Sequence, residues 1–156
     1  ILNVQRPFAV AARHIISHLL PDTVMGCLHQ VVDDGVQAEG ASAVARTWHS
    51  GQWTTSERAE TWAEGMATRV PAEMTLEIMR EVVDDVLLVS DDDLRRACRT
   101  YLDQTHNLVE GAGAASLAAA VVHRERFQGQ TVVGIVSGGN LDPDQLPEIL
   151  ASKAFG

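Results

Sequence analysis

Thr-Val-Val-Gly-Ile-Val-Ser-Gly-Gly-Asn, residues 131–140, is the stretch from which the fold class follows. Residues 131–136 form a short apolar run rich in β-branched side chains, and such a run predicts a buried strand. Its glycines permit a sharp turn and the close approach of a ligand, and open α/β proteins bind small molecules at the carboxyl ends of strands. The turn therefore predicts a ligand site, although a plain strand-to-helix turn explains it equally well. Its residues are Ser137, Gly138, Gly139 and Asn140.

Helices alternate with short apolar stretches through the rest of the chain, which predicts an α/β fold with a mostly parallel sheet flanked by helices. One helix, from about residue 108 to His123, is apolar on all sides and is therefore expected to be buried. Residues 86–89 predict a second short strand, whereas residues 22–36 show no clear pattern. The remaining predictions are helices over 9–20 and 39–49, a loop over 50–72, and helices that begin at the capping residues Thr75 and Ser90.

The composition excludes several classes of partner. The chain has 156 residues and a net charge of -9, and phosphate binding needs clustered cations, so neither a nucleic acid nor an anionic membrane is an expected partner. No apolar run reaches the length of a membrane span, and a cytoplasmic protein is the default expectation. Cys27 and Cys98 form no redox or metal-ligand motif, and Cys98 is expected to be a buried free thiol.

Two further residues are candidates for a binding site. Glu110 precedes the apolar helix, where a carboxylate is costly unless a partner or the helix amides stabilise it. Taken alone, Glu110 is best interpreted as a helix cap. Gly65 lies in the middle of the long loop, where it permits the approach of a ligand or simply forms a turn.

Other polar residues have simpler interpretations. His14 and His18 have a metal-binding spacing, but no acidic third ligand is near, so no metal site is predicted. The acidic run 91–93 is expected to be a solvated first turn, which the helix dipole favours.

Six short segments, taken in order, resemble the serine/threonine dehydratase family. The resemblance covers about residues 36–142. Members of this family are pyridoxal-phosphate enzymes of fold type II, the tryptophan-synthase-β type, and serine racemase is a close relative. The segments are Val-Gln-Ala-Glu-Gly-Ala at 36–41, Trp-Ala-Glu-Gly-Met-Ala at 62–67, Thr-Leu-Glu-Ile at 75–78, Val-Asp-Asp-Val at 83–86, Glu-Gly-Ala-Gly-Ala at 110–114 and Ser-Gly-Gly-Asn at 137–140.

The resemblance implies a role for each candidate residue. The Ser137 hydroxyl would hydrogen-bond the pyridine nitrogen of pyridoxal 5′-phosphate, and residues 138–140 would shape the floor beneath the ring. Glu110 would lie near the cofactor, and Gly65 would lie in the loop over one edge of the ring. The implied reaction is β-elimination from L-threonine or L-serine, which gives a 2-oxo acid and ammonia, in a homo-dimer or homo-tetramer.

The sequence also departs from the family pattern. The family holds the cofactor on a lysine in a Ser/Asn-Phe-Lys-x-Arg-Gly-like segment, and no such segment is present. Lys153, the one lysine of the chain, stands near its end. The glycine-rich phosphate loop expected before Val36 is also missing. Gln37-Ala38 replace the family's Glu-Pro, whose glutamate helps to bind a divalent cation in serine racemase, so no metal is expected.

These departures leave two interpretations of the chain. In the first, it belongs to a longer dehydratase: residues 1–35 are an N-terminal helix and an unassigned segment, with residues missing somewhere within 20–36, and residues 36–156 are a cofactor-binding portion of the large domain. In the second, the chain is a true truncation, which makes it a catalytically inactive binding or regulatory module, or a small-molecule sensor.

Overall fold

Residues 32–156 are described by a computed structural model, in which helices cover both faces of a two-stranded parallel sheet. Strand β1, Asp34–Ala38, pairs with β2, Asp85–Val89, so that Asp34 lies opposite Asp85. The parallel sheet and the predicted second strand are confirmed, whereas β1 lies in a segment without a sequence pattern. The helices are α1, Ala43–Ser50; α2, Glu73–Val82; α3, Asp91–Thr105; α4, Gly111–Val122; and α5, Leu146–Ala151. Short 3-10 helices form at Glu39–Ala41, Glu64–Met66 and Pro143–Gln145.

Several predictions concern residues outside this range. The helix over 9–20, the histidine pair at positions 14 and 18, Cys27 and most of the proposed gap within 20–36 lie outside the described residues.

Side chains of β2 alternate between two apolar clusters, because successive residues of a strand point to opposite faces of the sheet. Leu87 and Val89 are buried in the larger cluster, which includes α3 and α4. Val86 packs instead with Ala45 of α1 and Met79 of α2. Both faces of the sheet are therefore covered, as parallel strands generally require.

The alanine-rich helix α4 lies against the larger cluster. Its small residues allow the backbones of α3 and of the sheet to approach closely; the buried ones are Gly111, Gly113, Ala114, Ala115, Ala118 and Ala119. The prediction of a buried helix holds for most of its length, although Val122 at its end is 43% exposed.

Helix α3 begins at the capping residue that the sequence predicts, whereas α2 does not. The Ser90 hydroxyl accepts a hydrogen bond from the Asp93 amide, and the Asp93 carboxylate accepts one from the Ser90 amide, which is a complete capping box. The prediction that Thr75 caps α2 is wrong. Glu73 already adopts helical geometry, which places Thr75 inside the first turn, where the dipole also favours the Glu73 carboxylate.

The prediction of a buried strand at residues 131–136 is wrong. No strand among residues 32–156 pairs with this segment, and its side chains are largely exposed. β-Branched residues favour an extended backbone, but a strand also needs a neighbour to complete its hydrogen-bonded ladder. The segment contacts α4, where the Ser116 hydroxyl donates to the Ile135 carbonyl over 3.0 Å. The exposed fractions are 45% for Val132, 54% for Val133, 49% for Ile135 and 48% for Val136.

Cys98 is the buried free thiol that the sequence predicts. Burial raises the pKa of Cys98 to about 12, and the negative charge of Glu110 adds to this effect. The thiol is therefore protonated at neutral pH and serves packing, since the thiolate is the reactive form.

Four charged or titratable side chains meet where the two strands begin. Arg126 donates to both carboxylate oxygens of Asp34, over 2.9 and 3.0 Å, and to Asp85 over 2.9 Å. His49 of α1 contacts the other Asp85 oxygen over 2.9 Å. Because Asp34 and Asp85 are direct cross-strand neighbours, the arginine offsets a repulsion that would otherwise oppose strand pairing.

Acid unfolding should report the environment of Asp85. Burial by itself would raise the pKa of Asp85, but hydrogen bonds from His49 and the Val86 amide and the charge of Arg126 hold it below 3.8. A lowered folded-state pKa stabilises the fold above 3.8, and this stabilisation is lost as the pH falls through the folded-state value. Asp85→Asn should therefore lower the free energy of unfolding at pH 7 and flatten its acid dependence, as measured by urea unfolding from neutral to acidic pH.

A control variant separates this effect from a general change in charge. Asp144 is exposed and forms no ion pair among residues 32–156, so Asp144→Asn should keep the wild-type free energy of unfolding at pH 7. An Asp85→Asn protein with the wild-type acid limb would contradict the interpretation.

Candidate functional site

Segments from distant parts of the chain meet at the first turn of α4. The Glu110 amide donates to the Gly138 carbonyl over 3.3 Å, so residues 137–139 lie beside the start of the helix. On another side, a Cβ atom built on Gly65 would lie 2.9 Å from the Cβ of Ala112. The fold therefore brings together three parts of the predicted site, at Gly65, Glu110 and Gly138.

Glu110 occupies the N-cap position of α4, but its side chain makes no capping hydrogen bond. Its carboxylate instead lies against Gly138, where the Cβ of any larger residue would overlap the Glu110 Oε1 atom. The interpretation of Glu110 as a helix cap is thus correct for its position and wrong for its side chain. The amides of the first turn of α4 therefore lie at the positive end of the helix dipole without a capping hydrogen bond from the Glu110 side chain.

An open cleft of about 420 Å³ lies between residues 107–109 and residues 136–139. This volume falls within the usual range for small-molecule sites. Ser137 lines the cleft, and its hydroxyl has no hydrogen-bond partner among residues 32–156. Asn140, in contrast, is exposed and is not among the lining residues. The lining residues are Asn107, Leu108, Val109, Val136, Ser137, Gly138 and Gly139.

Position 113 requires glycine, because α4 lies close to the segment that forms one side of this cleft. A Cβ atom at Gly113 would overlap the carbonyl oxygen of Gly138 and would lie 2.9 Å from its nitrogen. It would also lie 2.9 Å from the Cγ1 atom of Val109. The distance between the helix and the Ser137 segment is therefore set by the absence of a side chain.

One feature of the cleft suits a ligand that carries a ring nitrogen. Ser137 belongs to the cleft lining and has a hydroxyl without a hydrogen-bond partner among residues 32–156, whereas the space beside Gly138 is occupied by the Glu110 carboxylate. Lys153, the one lysine of the chain, is exposed and is not among the lining residues. Within residues 32–156, no group of three or more His, Cys, Asp or Glu side chains is arranged to hold a metal ion.

Some residues that shape this site escaped prediction. Asn107 and Leu108 form one wall of the cleft, and only the apolar Leu-Val pair before Glu110 hints at such a role.

Gln37, noted only as a departure from the family pattern, accepts a hydrogen bond from the Ala45 amide over 2.8 Å and thereby ties β1 to the start of α1.

Comparison with known proteins gives an independent result. Residues 25–138 match the family model described as pyridoxal-phosphate dependent enzyme. The catabolic L-threonine dehydratase of Escherichia coli strain K12 is 37% identical over 117 residues, which are 74% of this chain and 36% of that enzyme. The chain thus spans about a third of the length of the curated relatives that it matches.

Solved structures agree with this relationship. The threonine deaminase of T.th. superposes with a TM-score of 0.67 at 37% identity, covering 71% of this chain and 40% of that one. Maize serine racemase gives a TM-score of 0.67 at 28% identity, covering 78% of this chain and 38% of that one. The fold is therefore that of the fold-type II enzymes.

None of the helices between residues 32 and 156 combines the length and the apolar character needed to cross a bilayer.

The fold, the match over most of the chain and the meeting of Gly65, Glu110 and Gly138 at one helix start all agree with one another. The chain belongs to the family of pyridoxal-phosphate dependent enzymes.

Proposed function

We propose that this chain is part of a pyridoxal-phosphate dependent dehydratase that converts L-threonine, and also L-serine, into a 2-oxo acid and ammonia. The observation that carries the proposal is the unpartnered Ser137 hydroxyl beside Gly138 and Gly139 in an open cleft. The names of the relatives support threonine as the first substrate, since those proteins are threonine dehydratases.

Each residue of the cleft has a defined task in this proposal. The bound cofactor supplies an electron-accepting ring that stabilises negative charge on the substrate α-carbon, so that the β-hydroxyl can leave. The Ser137 hydroxyl donates a hydrogen bond to the ring nitrogen, because a neutral hydroxyl does not hold that nitrogen protonated as a carboxylate would. Gly138 leaves room for the Glu110 carboxylate, which would lie near the ring, and Gly65 lies on another side of the α4 start.

The lysine that the family uses as cofactor anchor is, in this proposal, supplied by polypeptide outside these 156 residues. The direct test begins with the intact mass of the protein from its source, which should exceed 16.9 kDa. That protein, incubated with pyridoxal 5′-phosphate and L-threonine, should release ammonia and 2-oxobutyrate in equal amounts. Absence of both products from a cofactor-loaded protein would overturn the proposal.

The effect of Ser137→Ala distinguishes a functional hydroxyl from a structural one. Because the side chain is exposed and unpartnered, the free energy of unfolding should change by less than about 0.5 kcal/mol. The rate of threonine deamination should fall about 10- to 100-fold, which corresponds to the loss of one hydrogen bond to the cofactor. Steady-state kinetics and urea unfolding measure the two effects.

A serine outside the cleft supplies the control. The Ser56 hydroxyl has no partner within residues 32–156 and does not line the cleft, so Ser56→Ala should keep wild-type rates. Equal activity of Ser137→Ala and Ser56→Ala would remove Ser137 from the site.

The lysine count supports a second candidate function, that of a binding or regulatory module without chemistry. Such a module would bind pyridoxal 5′-phosphate or an amino acid reversibly and release no ammonia. It would also show no visible absorbance band that borohydride removes, because that band requires a lysine-linked cofactor.

The remaining expectations belong to the same proposal. A homo-dimer or homo-tetramer is supported by the exposed apolar side chains of residues 131–136. A cytoplasmic location is supported by the acidic composition and the small-molecule substrate. Size-exclusion chromatography with light scattering tests the first expectation and cell fractionation the second.

A further inference from the structure

Asp91, the first residue of α3, uses both carboxylate oxygens on the loop that carries Gly65. Its Oδ1 atom accepts a hydrogen bond from the Thr61 hydroxyl over 2.6 Å. Its Oδ2 atom accepts one from the Trp62 amide over 2.8 Å. The Thr61 hydroxyl in turn accepts a hydrogen bond from the Ala63 amide over 3.2 Å, so a single carboxylate fixes consecutive residues of the loop.

A second side chain, that of Gln145, holds Trp62 through the carbonyl group of its backbone, whereas Asp91 holds it through its amide. The Gln145 amide donates to the Trp62 carbonyl over 2.9 Å. The indole ring lies beneath the Arg95 guanidinium, whose carbon is 5.3 Å from the ring centroid. On α4, a Cβ atom at Gly111 would lie 2.8 Å from the indole Cζ3 atom. Trp62 is therefore fixed between α3, α4 and the C-terminal segment, three residues before Gly65.

Asp91 is not needed to cap its own helix. Ser90 and Asp93 already form the capping box of α3. Asp92, the intervening residue, shows what an ordinary acidic residue of this turn does: its side chain is 88% exposed and pairs with Arg95. The long-range bonds of Asp91 therefore need another explanation than helix capping.

We propose that Asp91 is a positioning residue, which holds the Gly65 loop against the first turn of α4, the helix start that also contacts Gly138 of the cofactor cleft. This inference rests on the proposed function for the identity of the ligand, but the geometry of the loop does not depend on it. Because hydrogen bonds to a charged acceptor are stronger than neutral ones, the carboxylate orders the loop before any ligand binds.

Amide hydrogen exchange on the full chain tests the positioning role without reference to activity. In Asp91→Ala the Trp62 and Ala63 amides should exchange about 10- to 100-fold faster, since each loses a bond that the carboxylate makes or supports. Asp91→Asn keeps one acceptor oxygen and should give an intermediate rate. Asp92→Asn makes the same change of charge in the same turn, leaves Arg95 bonded to Glu148, and should match wild type.

Cofactor affinity provides the second readout. In Asp91→Ala the dissociation constant for pyridoxal 5′-phosphate, followed by its absorbance, should rise about tenfold, while exchange in the middle of α3 stays at wild-type rates. Unchanged exchange at Trp62 and Ala63, equal acceleration throughout α3 and β2, or unchanged cofactor affinity with a loosened loop would each overturn the proposal. If the wild-type protein does not bind the cofactor, the proposed function fails, and the exchange rates still decide whether Asp91 holds the loop.

Discussion

Alanine at position 113 is expected to push α4 away from residues 137–139 and to weaken the binding of pyridoxal 5′-phosphate at least tenfold. The new methyl group would overlap the Gly138 carbonyl oxygen and crowd the Val109 side chain. Both the helix and the Gly138 segment meet through backbone atoms, so neither yields by a simple rotamer change. Overpacking costs about 1–3 kcal/mol, which exceeds the gain of about 1 kcal/mol that alanine brings to a helix interior.

Two measurements check this result, namely urea unfolding for stability and a cofactor titration for affinity. Gly156→Ala is the matched control, because its methyl group would meet nothing within 4 Å. The control should bind the cofactor as wild type does. Wild-type affinity in Gly113→Ala would show that the distance between α4 and the Ser137 segment is not critical.

Alanine at position 40 is expected to give the largest loss of stability, about 3 kcal/mol. Gly40 lies in the 3-10 helix after β1, and a Cβ atom there would overlap the Glu60 carbonyl oxygen. The same change threatens the hydrogen bond of 2.9 Å from the Glu60 amide to the Gly40 carbonyl, which is worth about 1 kcal/mol. The two segments cannot separate slightly without breaking this bond.

The damage should extend to the site, because Glu60 is followed directly by the residues that Asp91 holds. Thermal unfolding should show a lowered midpoint for Gly40→Ala and a wild-type midpoint for the Gly156→Ala control. Amide exchange should be faster across residues 60–66 in Gly40→Ala. A Gly40→Ala protein with wild-type stability would contradict the close packing of these two backbone segments.

The segments that could be predicted from the sequence are those whose signals are local. The cap at Ser90 depends on residues within one helical turn, and this prediction is confirmed. The order of six short segments identified the family, which the comparisons confirm. Residues 131–136 show the limit, because their composition favours a strand while the ladder that defines a strand depends on a neighbour.

Asp91 shows the same limit at the site. Its sequence context, an acidic run at a helix start, is typical of a solvated turn that the dipole favours. The structure instead directs one of these carboxylates to Thr61 and Trp62, about 30 residues earlier, while its neighbour remains exposed. Nothing in the local pattern separates Asp91 from Asp92, because the difference depends on which side of the helix meets the loop.

By itself, then, the sequence determined the fold class, which follows from the alternation of helices and short apolar stretches, and the family, which follows from the resemblance carried by the order of six motifs. Only the tertiary structure decided that Gly65, Glu110 and Gly138 share the start of one helix and that Ser137 lines the cleft. The physical reason is the separation along the chain between the residues that interact. Caps and periodicity act over a few residues, whereas a binding site is formed by close backbone approaches between segments far apart in the chain.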